Sequence, residues 1–376
     1  QKNGDYTTLI DPYAFANQLT EDLQEISKDK HFRVSYSPEA IALLKEDEKN
    51  KDANKYEELT KQRLRNINYG FEKLKVLPGN IGYLKLDVFV DAKYGGETAI
   101  AAMQFLANTH AIIFDLRENG GGSPSMIQLI TSYLYDYEPK HLNSFYWRPK
   151  DDYQQFWTLP YVPGKKMPDA DVYVLTSQKT FSGAEEFTYN LKNMKRAMIV
   201  GEITGGGAHP VSRKILNDNF YMSLPTGRAI NPITKTNWEG TGIEPDVKVV
   251  ADEAYDRAYL LALKKLIDKE TDEKQKNYYA WVIDGLEAKN SSVKMDEKIM
   301  KSYVGIYGPR IITFENGSLY YQREDRPKMK MIPIKQGLFM FDEVDYFRLM
   351  IVLENEKVVG VKGLFDNGTT DEHKKS

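Results

Sequence analysis

Asp171-Val172-Tyr173-Val174-Leu175-Thr176 runs through Ser177-Gln178-Lys179-Thr180-Phe181 into Ser182-Gly183-Ala184-Glu185-Glu186-Phe187. Val172, Val174 and Leu175 make the first six residues a strand. Ala184, Phe187, Leu191 and Met194 then recur on one face of a helix. Ser182 falls at the turn between them. A hydroxyl there is held at the end of a sheet, and the helix N-terminus favours developing negative charge. Gly183, directly after it, is a natural oxyanion donor through its N–H. A plainer reading competes: Ser182 caps the helix and Glu185 completes a capping box. Taken alone, the segment favours the cap.

The same strand-helix alternation extends over residues 80–250. Expected strands are Ile81–Leu86, Ala111–Leu116, Asp171–Thr176, Ala197–Val200, Lys214–Leu216 and Phe220–Leu224. Expected helices cover 97–108, 125–136 and 183–194. Ala111-Ile112-Ile113-Phe114 is continuously apolar, as a strand covered on both faces should be. The pattern is that of a layered α/β domain.

Upstream, Asp11-Pro12 opens a helix with Phe15, Leu19, Leu23 and Ile26 on one face. Residues 32–36 alternate like a short strand, and 38–66 are charged enough to be an exposed helix or helix pair. Downstream, about 253–287 is helical. Short strands then follow at Ile311–Glu315, Leu319–Gln322, Leu338–Phe341, Phe347–Leu353 and Val358–Gly363, separated by turn residues. The charged tail Asp371–Ser376 reads as disordered. The resulting division is an N-terminal helical subdomain at 1–75, an α/β core at 76–250, a helical connector at 251–295 and a small antiparallel β domain at 296–376.

Composition excludes several functions. The 376 residues carry a net charge of -3, which offers nothing to nucleic acid or an anionic membrane. No apolar run approaches the roughly 18 residues of a membrane span. The chain has 0 cysteines, so disulfides, thiolate catalysis and cysteine-ligated metals are absent. Only 5 histidines can serve as a base. The chain starts abruptly at Gln1 on a polar stub, as a mature or trimmed form would.

Three further segments could carry chemistry. Asp115-Leu116-Arg117-Glu118-Asn119-Gly120-Gly121-Gly122 follows a buried-looking strand and could present N–H groups to a phosphate or an oxyanion. The phosphate reading is weak, because no Gly-Lys-Ser/Thr follows. Thr204-Gly205-Gly206-Gly207-Ala208-His209-Pro210 reads as a mobile loop beside a site, with His209 either a base or, as a histidine before proline often is, a surface or packing residue. In Trp238-Glu239-Gly240-Thr241-Gly242-Ile243-Glu244-Pro245-Asp246, Glu239 is either an acid in a packed corner or a solvated turn carboxylate.

In this order, and with Asp29-Lys30-His31 ahead of them, these motifs resemble the S41 peptidase family. That family includes the tail-specific proteases, the tricorn core and the repeats of interphotoreceptor retinoid-binding protein; the likeness is greatest to bacterial homologues of the last. The resemblance implies a layered core of the ClpP/crotonase type and a serine-type peptidase acting on peptide or protein substrates, without cofactor or metal. The tail-specific branch uses a lysine base at the end of the Gly201–Gly207 loop, where this chain has Gly207. The tricorn-like branch uses a histidine and a glutamate, and His31 and Glu239 match those positions. The resemblance thus implies Ser182 as nucleophile, His31 as base and Glu239 as orienting acid. Gly183 and Gly120 or Gly121 would bind the oxyanion. Glu185 and His209 would be secondary polar partners. A histidine ordinarily titrates near ~6.5 and can take a proton near neutral pH.

Many family members insert a PDZ domain of ~90 residues before the sheet, and residues 32–79 are too few for one. Family habit implies an exported, periplasmic or cell-surface protein. Retinoid-binding repeats leave a second function open, that of a non-catalytic carrier of an apolar ligand. Because His31 lies far from Ser182 in sequence, a helical lid over 38–66 could be needed to bring them together.

Overall fold

A computed structural model of the chain describes residues 6–49, 55–290 and 293–376. Most of the polar stub at the start, and residues 50–54 of the charged 38–66 stretch, lie outside these residues. The chain clusters into two compact units, Gln1–Tyr259 and Leu260–Ser376.

The first unit opens on α1 (Pro12–Ser27). The Asp11 carboxylate accepts the Ala14 N–H at 3.0 Å, which satisfies one of the free donors of the first turn. There follow β1 (Arg33–Tyr36), α2 (Pro38–Lys49) and α3 (Lys55–Asn66). α3 buries none of its residues and α2 only Ile41, so this charged pair presents a solvated surface. The core then runs β2 (Phe71–Leu77), β3 (Ile81–Leu86), α4 (Ala92–Phe105), β4 (Ala111–Asp115), α5 (Pro124–Ser132), β5 (His141–Trp147), β6 (Asp152–Trp157), β7 (Asp171–Thr176), α6 (Gly183–Asn193), β8 (Ala197–Gly201), β9 (Val211–Ile215), β10 (Phe220–Pro225), β11 (Gly227–Ile230) and β12 (Val247–Lys248).

One sheet dominates, in the order β12-β8-β7-β4-β3-β2. All its pairings are parallel except β2 against β3. Every residue of β4 is buried, as its continuous apolar run requires. Ile112, Phe114 and Val174 of the sheet pack with Met103 of α4, Ile127 of α5 and Phe187 of α6 in one core. Each such side chain contributes roughly 1.5–3 kcal/mol through burial. Phe187 fixes the seat of α6: its ring lies 5.2 Å from that of Phe114 and 5.5 Å from that of Phe89. The layered α/β class expected from the strand-helix alternation is what the chain adopts.

Two smaller antiparallel sheets flank this layer, ordered β1-β10-β9 and β11-β5-β6. The β5–β6 hairpin has no counterpart among the expected strands. β6 is exposed at nearly every residue, so the apolar alternation that marks a strand is missing. Cross-strand rings hold it instead, Tyr146 against Tyr153 at 5.1 Å and Phe145 against Phe156 at 5.7 Å. α4 also begins earlier than expected, because Gly95 and Gly96 hide the helical pattern.

α7 (Ala254–Lys269) carries the chain into the second unit. α8 (Glu273–Asn290) and α9 (Glu297–Ser302) follow. Then come β13 (Gly305–Tyr307), β14 (Arg310–Glu315), β15 (Ser318–Arg323), β16 (Met329–Lys330), β17 (Ile332–Lys335), β18 (Leu338–Phe341), β19 (Val344–Glu354), β20 (Lys357–Phe365) and β21 (Thr370–Lys374). They form antiparallel sheets of four and five strands around Tyr307, Phe341 and Leu349. The tail corrects an expectation. Rather than being disordered, Thr370–Lys374 pairs along β20, and Asp371 meets Arg310 at 2.6 Å. A charged alternating stretch reads as tail until an edge strand is there to receive it. Among the described residues, no helix is long and apolar enough to cross a membrane.

Candidate active site

The loops after β4 and β7 leave the same edge of the parallel sheet and are tied together. Thr180 Oγ1 donates to Leu116 O at 2.8 Å, and Phe181 N–H to Asn119 O at 3.0 Å. The fully buried Asn119 side chain donates to Leu86 O at 2.7 Å and accepts the Gly121 N–H at 2.8 Å. Asp115 anchors the base of the loop through a bidentate pair with Arg117, at 2.8 and 2.6 Å. Burial opposes ionisation of Asp115, but the Arg117 guanidinium more than offsets it and holds the carboxyl below its usual range.

Ser182 has φ 53° and ψ -118°. A capping serine is ordinarily extended. For a residue with a Cβ, this backbone costs on the order of 1–3 kcal/mol and persists only where its surroundings enforce it. Gly121 makes room for the turn: a Cβ there would come within 2.8 Å of Ser182 Cβ and of Gly183 N. Ser182 N–H donates to Glu185 at 2.8 Å, half of a capping box. The Oγ lies 2.9 Å from His31 Nε2.

His31 arrives on the segment between α1 and β1. Its backbone N–H donates to Asp29 Oδ1 at 2.8 Å, and its ring lies against Phe181 with centroids 4.7 Å apart. With α2 and α3 in place the pair is already assembled, so closure of a lid over 38–66 is not needed to form it.

On the other face of the imidazole the structure departs from expectation. Glu239 is not paired with His31. It accepts the Ala208 N–H at 2.6 Å and lies 3.5 Å from His209 Nδ1. The carboxylate beside His31 Nδ1 is Asp29, at 3.4 Å. Asp29 Oδ2 in turn lies 2.7 Å from His209 Nδ1. A chain therefore runs from Ser182 through His31, Asp29 and His209 to Glu239. Burial would raise the Asp29 pKa, but the hydrogen bonds with His209 and His31 outweigh it and hold this carboxyl well below the usual range. The hydrogen bond to Asp29 raises the His209 pKa against the effect of burial. Asp29, His209 and Glu239 each offer one donor atom, all within 4.8 Å of one another, so the same group could also ligate a divalent cation.

Glu185 is a hub rather than a cap alone. Besides the Ser182 N–H, its carboxylate accepts the Thr204 hydroxyl, the Gly206 N–H at 2.7 Å and the Gly207 N–H at 2.9 Å. Burial raises its pKa while these donors oppose the rise. It thereby fixes the Gly205–Gly207 loop against the nucleophile turn.

Gly207 itself admits no side chain: a Cβ would stand 2.2 Å from Phe181 Cζ and 2.6 Å from His31 Cε1. The glycines after β4 divide their work differently from expectation. The Gly121 N–H is engaged by Asn119, so it is not free to meet an oxyanion. Gly120 is exposed and lines no wall beside Ser182, whereas Gly122 and Gly183 both do.

Those two glycines border a cavity of about 420 Å³ that also contains Ser182, Phe145, Trp147, Phe156, Trp238 and Glu186. A nucleophile, an adjacent base, a flanking carboxylate, free backbone donors and a pocket are what acyl transfer needs. The model of peptidase family S41 matches residues 80–249, the stretch that holds Ser182, Glu185 and Glu239.

Residues 80–249 belong to peptidase family S41.

His31 and Asp29 reach the S41 segment from upstream of it. Carboxyl-terminal-processing peptidase 2 of Arabidopsis thaliana, a chloroplastic protein, is 28% identical over 202 residues, which cover 50% of this chain and 36% of that protein. The chain thus spans well under two thirds of that relative's length. Among solved structures, a photosystem II D1 C-terminal processing protease is similar over 49% of this chain and 47% of its own, at 21% identity and a TM-score of 0.38. A lipoprotein from Streptococcus agalactiae is similar over 69% and 85%, at 16% identity and a TM-score of 0.48.

Asp29 and Glu186 went unnoticed as site residues in the sequence. The signal for Asp29 was its place two residues before His31 in Asp-Lys-His. For Glu186 there was none, since a second glutamate at a helix start reads as dipole compensation.

Proposed function

We propose that the chain is a serine peptidase in which Ser182 is the nucleophile and His31 the general base. The observation that carries this is the 2.9 Å contact of Ser182 Oγ with His31 Nε2, made by a serine held at positive φ. As Oγ attacks the scissile carbonyl, its proton passes to His31 Nε2 and the carbonyl oxygen gains the charge. Gly183 and Gly122 are the N–H donors best placed for that oxygen; losing one such donor costs on the order of 100-fold in rate or more. His31 then returns the proton to the leaving amine, and water repeats the sequence on the acyl-enzyme. The imidazolium is stabilised by Asp29, with Glu239 acting at one remove through His209.

The aromatic cavity also suits the second reading, a non-catalytic carrier of an apolar ligand. A fluorophosphonate probe separates the two. Covalent labelling of the wild type, absent in S182A and strongly slowed in H31A, supports the peptidase. An unlabelled but folded wild type would leave only the carrier. An exported or cell-surface location belongs to the same proposal, as does the finer division at 75/76, 250/251 and 295/296; cell fractionation and limited proteolysis test them.

A further inference from the structure

Consecutive glutamates on α6 have opposite fates. Glu185 is satisfied by four donors, whereas Glu186 faces the cavity beside Ser182. Glu186 is 3% exposed. Among the described residues no lysine, arginine or histidine pairs with it. Burial pushes its carboxyl up to about 8, against a pull from the Asn143 amide. Asn143 is itself fully buried, and beyond this approach to Glu186 its side-chain nitrogen and oxygen have no hydrogen-bond partner.

The walls of the cavity sharpen the point. Phe145, Trp147, Phe156 and Trp238 supply aromatic surface, and Asp91 is the other ionisable residue lining it. Among the described residues, no basic residue lines it. A buried carboxyl without a counter-charge is costly to keep, and aromatic faces attract cations. The partner this arrangement lacks is a cation on a long stem.

We propose that the cavity receives a lysine or arginine side chain of the substrate, its head paired with Glu186 and its stem laid along the Trp147 and Phe156 rings. This deepens the peptidase reading and rests on it. The approaching cation favours the ionised carboxylate. At pH 7, ionising a carboxyl that titrates near 8 costs about tenfold in affinity, which a desolvated charge pair offsets. Apolar residues enter less well, and acidic ones are rejected by like charge.

The test is cleavage-site mass spectrometry on a mixed peptide library, with calorimetric titration of a lysine-containing and a leucine-containing peptide into S182A. Wild type should show lysine or arginine enriched at least about tenfold over leucine at one position flanking the scissile bond. E186L should lose that enrichment, and E186Q should reduce it; circular dichroism verifies that both variants fold. S182A should bind the lysine peptide more tightly, and S182A/E186L should not. Cleavage without basic enrichment, or enrichment that survives in E186L, overturns the pocket assignment and leaves the peptidase standing. Glu186-dependent lysine binding by S182A, with no cleavage by wild type, keeps the pocket as a basic-residue site and sinks the peptidase.

Discussion

Asp29 Oδ2 lies 2.7 Å from His209 Nδ1, so the carboxylate beside His31 is itself held by a second imidazole. Glu239 reaches this pair only through its 3.5 Å approach to His209. The acid next to the base therefore comes from the base's own segment, not from the loop between β11 and β12.

D29N should consequently lower kcat by about 10³-fold or more, because the imidazolium loses its neighbouring charge and its orientation. E239Q should cost about tenfold, acting at second hand. Steady-state kinetics on any cleaved peptide checks the order. A larger loss in E239Q than in D29N would return Glu239 to the role the family resemblance implied.

The same pair sets a pH dependence of stability. His209 titrates above its ordinary 6.5 in the folded chain, so its contribution is complete below that value and is lost as pH rises through the folded pKa. Asp29 titrates below its ordinary 3.8, so its contribution is present above that value and fades only in strong acid. H209A should therefore destabilise most near pH 5–6 and progressively less toward pH 9. Thermal melts of both proteins across that range measure it; a constant difference would count against the pair.

Backbone strain at Ser182 gives a comparison free of catalysis. S182A and S182G both remove the nucleophile and should both abolish turnover. Only glycine accepts φ 53° without strain, so S182G should be the more stable by roughly 1 kcal/mol. Urea denaturation of the two variants decides it. Equal stability would mean that the turn is not strained.

At Gly207, an added methyl meets the rings of Phe181 and His31. G207A should displace the imidazole and reduce kcat about 100-fold while leaving the core packing intact. The rate of fluorophosphonate labelling should fall in parallel. Undiminished labelling would show that the loop yields instead.

The parallel sheet was legible because Ala111–Phe114 and Val172–Leu175 are buried on both faces and carry little else. The strand-turn-helix at Ser182 was legible for the same reason. The meeting of Ser182 with His31 was not, since the two are separated by 151 positions and only resemblance to a known family joined them. Asp29 stands where Glu239 was expected because both are carboxylates near a histidine, and a displacement of a few ångströms has no trace in residue type. The β5–β6 hairpin stayed hidden because its outer strand is exposed, although it supplies Phe145, Trp147 and Phe156 to the cavity. The final strand was mistaken for a tail because composition records charge and not an available edge.

The glycine at 207 also limits what this site can become. A side chain there and the imidazole at 31 claim one volume, so this chain cannot carry a lysine at 207 and keep the His31 ring in its present seat. Installing a second base on that loop would displace the first. A chain stripped of both would keep the sheet, the turn and the cavity, and with them the capacity to hold a ligand.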